Sequence, residues 1–170
     1  MKYTGAEKIS VISHSMGVTL ARRVIKGGWI NYDTAPFDLG PSLGPKVDTF
    51  IGIAGGNWGI ANCVIGPNIL PTCNALNGYY PGYAIGPLGL STYLRDLNND
   101  YNREGDHVIS IFAYTDEMAG YGGLIYGRYT SLWPTVDKSK TFNFILNCHV
   151  KLRDETTADQ YNLVTNHEFL

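Results

Sequence analysis

The sequence predicts an α/β fold built on a parallel sheet, and three observations carry that prediction. Short apolar runs at 8–14, 46–56, 107–114 and 141–147 read as strands. Helical patterns or long connections separate them, as parallel pairing requires. The first run, "KISVISH", is β-branched and does not alternate, the pattern of a strand buried on both faces.

Taken in order, the run at 8–14 leads through "SHSMG" into a helix over 16–26, with Val18, Ala21, Val24 and Ile25 at helical spacing. Gly27 and Gly28 end that helix. "KVDTFIGIAGG" (46–56) is the second strand, closing on glycines. Residues 57–87 are rich in Gly, Pro, Asn and Tyr and read as a long irregular excursion. "LSTYLRDLNNDY" (90–101) is an amphipathic helix with Leu90, Tyr93, Leu94 and Leu97 inward. "HVISIFAY" (107–114) and "TFNFILN" (141–147) are the third and fourth strands. A terminal helix over 154–166 places Ala158, Tyr161 and Val164 on one stripe. The whole chain reads as a single domain, and its glycine-rich patches at 52–56, 82–89 and 120–127 read as turns rather than phosphate loops.

Composition excludes several functions. The net charge is −2 without a Lys/Arg cluster, which gives no support for nucleic-acid binding. No apolar run approaches the ~18 residues of a membrane span. The first ten residues, "MKYTGAEKIS", lack the apolar core of a signal peptide. Cysteines and histidines lack zinc spacing and there is no H-E-x-x-H, so neither a metal nor a cofactor is expected. Cys63 and Cys73 bracket a Pro/Gly/Asn-rich segment that burial alone would hold poorly, so a disulfide is expected there, against the plainer alternative of two buried thiols. Cys148 is left over.

In open parallel sheets ligands bind beyond the carboxyl ends of the strands. After the first strand comes Ser15, in the strand–turn–helix context of a nucleophile elbow. Gly17 follows two residues later, and Ser13 stands where the motif has its first glycine. The alternative is a plain Ser15 helix cap. After the third strand comes Asp116, placed to orient a histidine, with Glu117 as the rival acid. After the fourth comes His149, in a loop before the last helix, with His167 as the rival base. His107 lies at the wrong end of its strand, and His14 abuts the nucleophile too closely to turn back onto it. The order Ser, Asp, His is that of an α/β-hydrolase triad.

Several blocks together, "ISVISHSMG", "TLARRVIKGG", "VDTFIGIAGGNWG", "CNALNGYYPG" and "LRDETTADQY", with the long "LNNDYNREGDHVISIFAYTDEMAGYGGLIYGRYTSLWP", make the chain similar to the class 2 lipases. That group has many nematode members and consists of secreted α/β-hydrolases acting on acylglycerols or simpler esters. The resemblance implies Ser15 as nucleophile, Asp116 as acid and His149 as base. It implies an oxyanion contact from the Met16 N–H, with a second donor on a family loop that precedes the elbow strand and has no counterpart in these residues. The family's "H-x-G-L" loop corresponds to His149-Val150-Lys151-Leu152, so Lys151 replaces its glycine.

The expectation is therefore the carboxyl-terminal portion of a carboxylic ester hydrolase, a partial α/β-hydrolase fold of about four parallel strands with 8–14 at an open edge. Residues 57–101 would form a cap over the site, and activity of the chain alone would fall far below that of a full-length relative. The expected partners are a lipid or ester substrate and, transiently, a lipid surface, with an extracellular location implied by the resemblance. The alternatives are an impaired family fragment that at most binds lipid, and a small disulfide-held binding module.

Overall fold

Strands β1 (Ile9–His14), β2 (Val47–Ile53), β3 (His107–Phe112) and β4 (Lys138–Thr141) form one sheet in that order, each pair of neighbours parallel. They belong to a computed structural model that describes residues 3–32, 35–84 and 89–170. Helices α1 (Met16–Lys26), α2 (Thr92–Asn99), α3 (Cys148–Asp154) and α4 (Thr157–Asn166) flank the sheet. Among the described residues no helix is long and apolar enough to cross a membrane.

Alternation along the two central strands divides the core. Ile51, Ile53, Ile109 and Ile111 pack with Cys148 and Leu152 of α3 and Leu163 of α4. Phe50 and Val108 turn to the opposite face and meet Val18 and Ile25 of α1 and Trp133. Each fully buried side chain of this size stabilises by about 1.5–3 kcal/mol. Gly52 is required for this closeness, since a Cβ there would lie 2.6 Å from Trp133 and 2.9 Å from Val18. A bare backbone at residue 52 lets α1, and with it the turn before it, settle onto β2.

The sheet's edges differ from a plain reading of apolar runs. Among the described residues β1 pairs only with β2, which is the open edge expected, yet Ile9 and Ile12 are 44% and 47% exposed. Burial on both faces is thus corrected: β-branched composition reports strand propensity, whereas cover depends on which elements lie above and below. The fourth strand is also corrected, from 141–147 to the lysine-bearing Lys138–Thr141. A half-exposed edge strand tolerates lysines, which also blunt unwanted pairing. The apolar run that follows is irregular, with Phe142 and Phe144 on the core and Ile145 and Leu146 outside.

Three helical details need correction as well. On α1, Val24 faces outward and Arg22 faces inward, for reasons given below. The terminal helix is two helices, and His149 lies within α3 rather than in a loop. On α4 the inward residues are Asp159, Gln160 and Leu163, while Ala158 and Tyr161 face solvent. Asp159 is held inward by Lys140 at 2.9 Å, and Gln160 by the Arg153 carbonyl at 2.7 Å, so hydrogen bonding outweighs the apolar stripe.

The excursion after β2 has its own small core. Cys63, Cys73, Tyr79, Leu90, Tyr93, Leu94 and Leu97 pack together, including all four residues expected inward, although the helix expected over 90–101 is Thr92–Asn99 and Leu90 precedes it. Cys63 and Cys73 are disulfide-bonded, with Cα atoms 5.1 Å apart and a sequence separation of 10. Closing a loop of that size contributes about 3 kcal/mol on the chain-entropy model. Cys148 is a buried free thiol that donates to the Phe144 carbonyl at 2.8 Å. Of the glycine-rich patch at 82–89, residues 85–88 lie outside the described residues.

Candidate active site

β1 ends at His14 and α1 begins at Met16, so Ser15 makes the whole turn. Its backbone takes φ 58° and ψ −130°, a region that non-glycine residues rarely occupy. Two backbone bonds hold it there: Ser15 N–H donates to the Ile53 carbonyl at 2.8 Å, and its carbonyl accepts from Val18 N–H at 3.1 Å. Ser15 occupies the N-cap position but makes no side-chain cap bond. Its Oγ lies instead 2.7 Å from His149 Nε2. The plain-cap alternative is excluded by that geometry. Gly17, the second small residue of the elbow motif, has no atom within 4 Å of a Cβ placed on it beyond its own chain neighbours and helix backbone. The crowded glycine near the turn is Gly55, whose Cβ would lie 2.8 Å from Val18.

His149 and Asp116 complete a chain of hydrogen bonds. His149 Nδ1 is 3.0 Å from each Asp116 carboxylate oxygen, and the Asp116 side chain is only 1% exposed. The backbone N–H groups of Met118 and Ala119 also donate to Asp116 Oδ1, at 2.9 and 3.1 Å, which fixes the carboxylate. With Asp116 accepting, Nδ1 carries the ring proton and Nε2 is left to accept from the Ser15 hydroxyl. Glu117 does not reach the ring; it accepts from the His149 backbone N–H at 3.3 Å. His167 lies elsewhere, 3.1 Å from Asp48. Because His149 is the second residue of a helix, Lys151 needs no glycine-like backbone: its N–H donates to the Asn147 carbonyl at 3.0 Å, and its ammonium pairs with Glu155.

His14 has a place that spacing alone did not reveal. Its Nε2 donates to the His149 carbonyl at 2.8 Å, and the two rings stand 4.7 Å apart. Burial lowers its pKa; the carbonyl it bonds opposes that shift without reversing it. A neutral His14 with its proton on Nε2 therefore ties the end of β1 to the first turn of α3.

The family described as Lipase (class 2) matches residues 1–162 of this chain. The chain belongs to the class 2 lipases. Family membership makes it a lipase-like hydrolase with an α/β-hydrolase arrangement, in keeping with the parallel sheet and its flanking helices. Comparison with curated proteins and with solved structures returned no match.

In this class 2 lipase a cavity of about 250 Å³ opens over Ser15 and His149, lined also by Ile60, Leu70, Tyr79 and Met118. Its walls are mostly apolar, and Ile60, Leu70 and Tyr79 come from the disulfide-bonded excursion. Tyr79 links that excursion to the turn, with its hydroxyl 2.5 Å from Thr19 Oγ1 and donating to the Met16 carbonyl at 3.3 Å.

Beneath α1 lies a buried ionic cluster that sequence reasoning missed. Arg22 donates to Glu104 at 2.8 Å, Asn57 at 2.8 Å and Asn98 at 3.1 Å, and stacks over Trp133. Lys26 pairs with Glu104 at 3.2 Å, and Thr135 donates to the other Glu104 oxygen. Residues 18, 22 and 25 share one helical stripe, and a charge on an otherwise buried stripe was the available signal.

Proposed function

We propose that this class 2 lipase hydrolyses carboxylic esters, acylglycerols among them, with Ser15, His149 and Asp116 as a catalytic triad. The unbroken chain of hydrogen bonds from Ser15 through His149 to Asp116, opening on an apolar cavity, is the observation that carries this reading. Ser15 Oγ attacks the acyl carbon as its proton passes to His149 Nε2. The tetrahedral intermediate collapses, the ester C–O bond breaks, and the leaving alcohol takes the proton from Nε2. Water then attacks the acyl-serine, giving a proton to His149; the acyl–Oγ bond breaks as His149 returns that proton to Ser15 Oγ, and the carboxylic acid leaves. Asp116 holds the ring and stabilises its cationic form throughout. Met16, the first residue of α1, carries one of the N–H groups that a helix leaves without an intrahelical acceptor, and in this reading that N–H donates to the developing oxyanion.

Residues 57–101 act as a cap whose Ile60, Leu70 and Tyr79 contact the acyl chain, and the chemistry needs no cofactor. The disulfide and the family assignment both support an oxidising, extracellular setting. The test is reaction with a fluorophosphonate followed by peptide mapping, alongside turnover of a p-nitrophenyl ester. Labelling at Ser15 is expected; a folded protein that binds lipid but neither labels nor turns over would be a lipid binder instead.

His14 is proposed as a positioning residue for the base. His14→Ala should lower kcat by up to about 100-fold, the scale on which an ångström of misplacement acts, with KM little changed. His14→Gln, which can still donate to the His149 carbonyl, should recover part of the loss. A variant that loses KM rather than kcat would show that His14 shapes the cavity and not the base.

A further inference from the structure

We propose that Asp48, His107 and His167 form a second site, which binds a divalent transition-metal ion of the Zn2+ type. Asp48 is the second residue of β2, His107 the first of β3, and His167 the C-cap of α4. These positions lie at the amino ends of the central strands, whereas Ser15 follows the carboxyl end of β1. At 3.2–3.4 Å per residue the two sites stand about 20 Å apart, at opposite ends of the sheet.

The donor set is what a borderline cation takes. One ligand atom from each of the three residues lies within 4.8 Å of the others. His167 Nε2 and Asp48 Oδ2 are 3.1 Å apart, close to the spacing of about 3.3 Å between neighbouring ligands on a tetrahedral zinc. His107 stacks on His167 with centroids 3.8 Å apart and rings 17° from parallel, so both rings can ligate one ion only if His107 rotates about its side-chain bonds out of the stack and turns its in-plane lone pair toward His167 and Asp48. Two neutral imidazoles and a carboxylate carry one negative charge, a set suited to Zn2+ with water completing the shell. Glu168, in electrostatic reach of both rings though paired with Lys138, adds further negative charge. The His167 and Asp48 side chains are each 34% exposed, which leaves an ion a path in.

The backbone also bears on this. His167 sits at φ 60° and ψ 21°, the left-handed C-cap position that glycine ordinarily fills. A side chain there carries a steric cost, and this one points to Asp48. With an ion bound, the last helix is cross-linked to the first residues of both central strands. An ion that binds only the folded chain raises the folded-to-unfolded ratio about 100-fold at a free concentration of 100 Kd.

The experiment is a ZnCl2 titration of the EDTA-treated, dialysed 170-residue chain in a non-chelating buffer, by calorimetry and by NMR of its four histidine rings. Saturable binding of one ion is expected, with the His107 and His167 rings shifting in step and His14 and His149 unmoved. His107→Asn and His167→Asn should each weaken binding at least about tenfold, on the scale by which even outer-shell partners matter. Because the ring signals are read on the unsubstituted chain, the result stands even if a variant fails to fold. Absence of saturable binding up to millimolar zinc, or shifts confined to His14 and His149, would overturn the proposal.

Discussion

Ser15→Ala should lower ester turnover about a million-fold, to the level left when a serine triad loses its nucleophile, and should abolish fluorophosphonate labelling. The loss is this large because, among the described residues, Ser15 Oγ is the one hydroxyl that meets His149 Nε2, at 2.7 Å. Folding should be almost untouched, since Ser15 makes no cap bond and alanine inherits the same backbone, and such a change usually stays within about 0.5 kcal/mol. Asp116→Asn should cost about 10,000-fold, because an amide N–H facing Nδ1 favours the wrong tautomer of His149. Glu117→Gln should cost far less, its carboxylate touching only a backbone N–H. Steady-state turnover of a soluble ester, with a melting curve for each variant, reads the whole series. A Ser15→Ala protein retaining a tenth of the original rate, or a greater loss for Glu117→Gln than for Asp116→Asn, would reverse the assignments.

Arg22→Ala should destabilise the fold by about 3–5 kcal/mol, the cost of stranding a buried partner charge. For a chain of this length that is a fall in melting temperature of about 6–20 °C. Both Arg22 and Glu104 are fully buried, and removal of the guanidinium leaves the Glu104 carboxylate with Lys26 and Thr135 alone. Arg22 also binds α1 to Asn57 and Asn98, so the helix that carries Ser15 loses its anchor. Replacing Arg22 and Glu104 together by Met and Gln should cost less than the two single changes summed, since that pair is then removed whole, although Lys26 loses its carboxylate partner and keeps only backbone acceptors. The same cluster has a pH signature. Burial alone would raise the Glu104 carboxyl, but Arg22 and Lys26 outweigh it and hold the group below its ordinary value. Its contribution is therefore fully present above the unfolded carboxyl pKa of about 4.3 and is lost as pH falls through the lower folded value. Thermal melts from neutral to acidic pH should show a shallower acid loss for Glu104→Gln than for the unsubstituted chain. Equal slopes, or a shift of under about 2 °C for Arg22→Ala, would remove the cluster from the account.

Legibility in the sequence followed the range of the interaction. "SHSMG" between a strand and a helix indicated the Ser15 turn because an elbow is a local device, set by its own five residues and immediate flanks. Helix α1 was legible to the residue at both ends, since Gly27 and Gly28 stop it. Asp116 was legible as a position just after a strand, because parallel topology carries every strand's carboxyl end to one edge; His149 was singled out from a strand at 141–147 that ends instead at Thr141, and it stands on α3. The Cys63–Cys73 bridge was legible because its ends lie close in sequence.

What the sequence by itself determined, then, was the class of fold, the family and the order along the chain of the residues proposed for the site. Only the tertiary structure decided the contacts that join distant segments. Arg22 looks like a misplaced charge until Glu104, Asn57 and Asn98 meet it, and His14 looks unusable until α3 brings the His149 carbonyl to it. Asp48, His107 and His167 have no metal-site spacing; only strand register and the return of α4 bring them together. The physical reason is common to all three. Local patterns report backbone preference and hydrophobic period, whereas a polar side chain's role depends on which partner the packed core delivers to it, and no period encodes that.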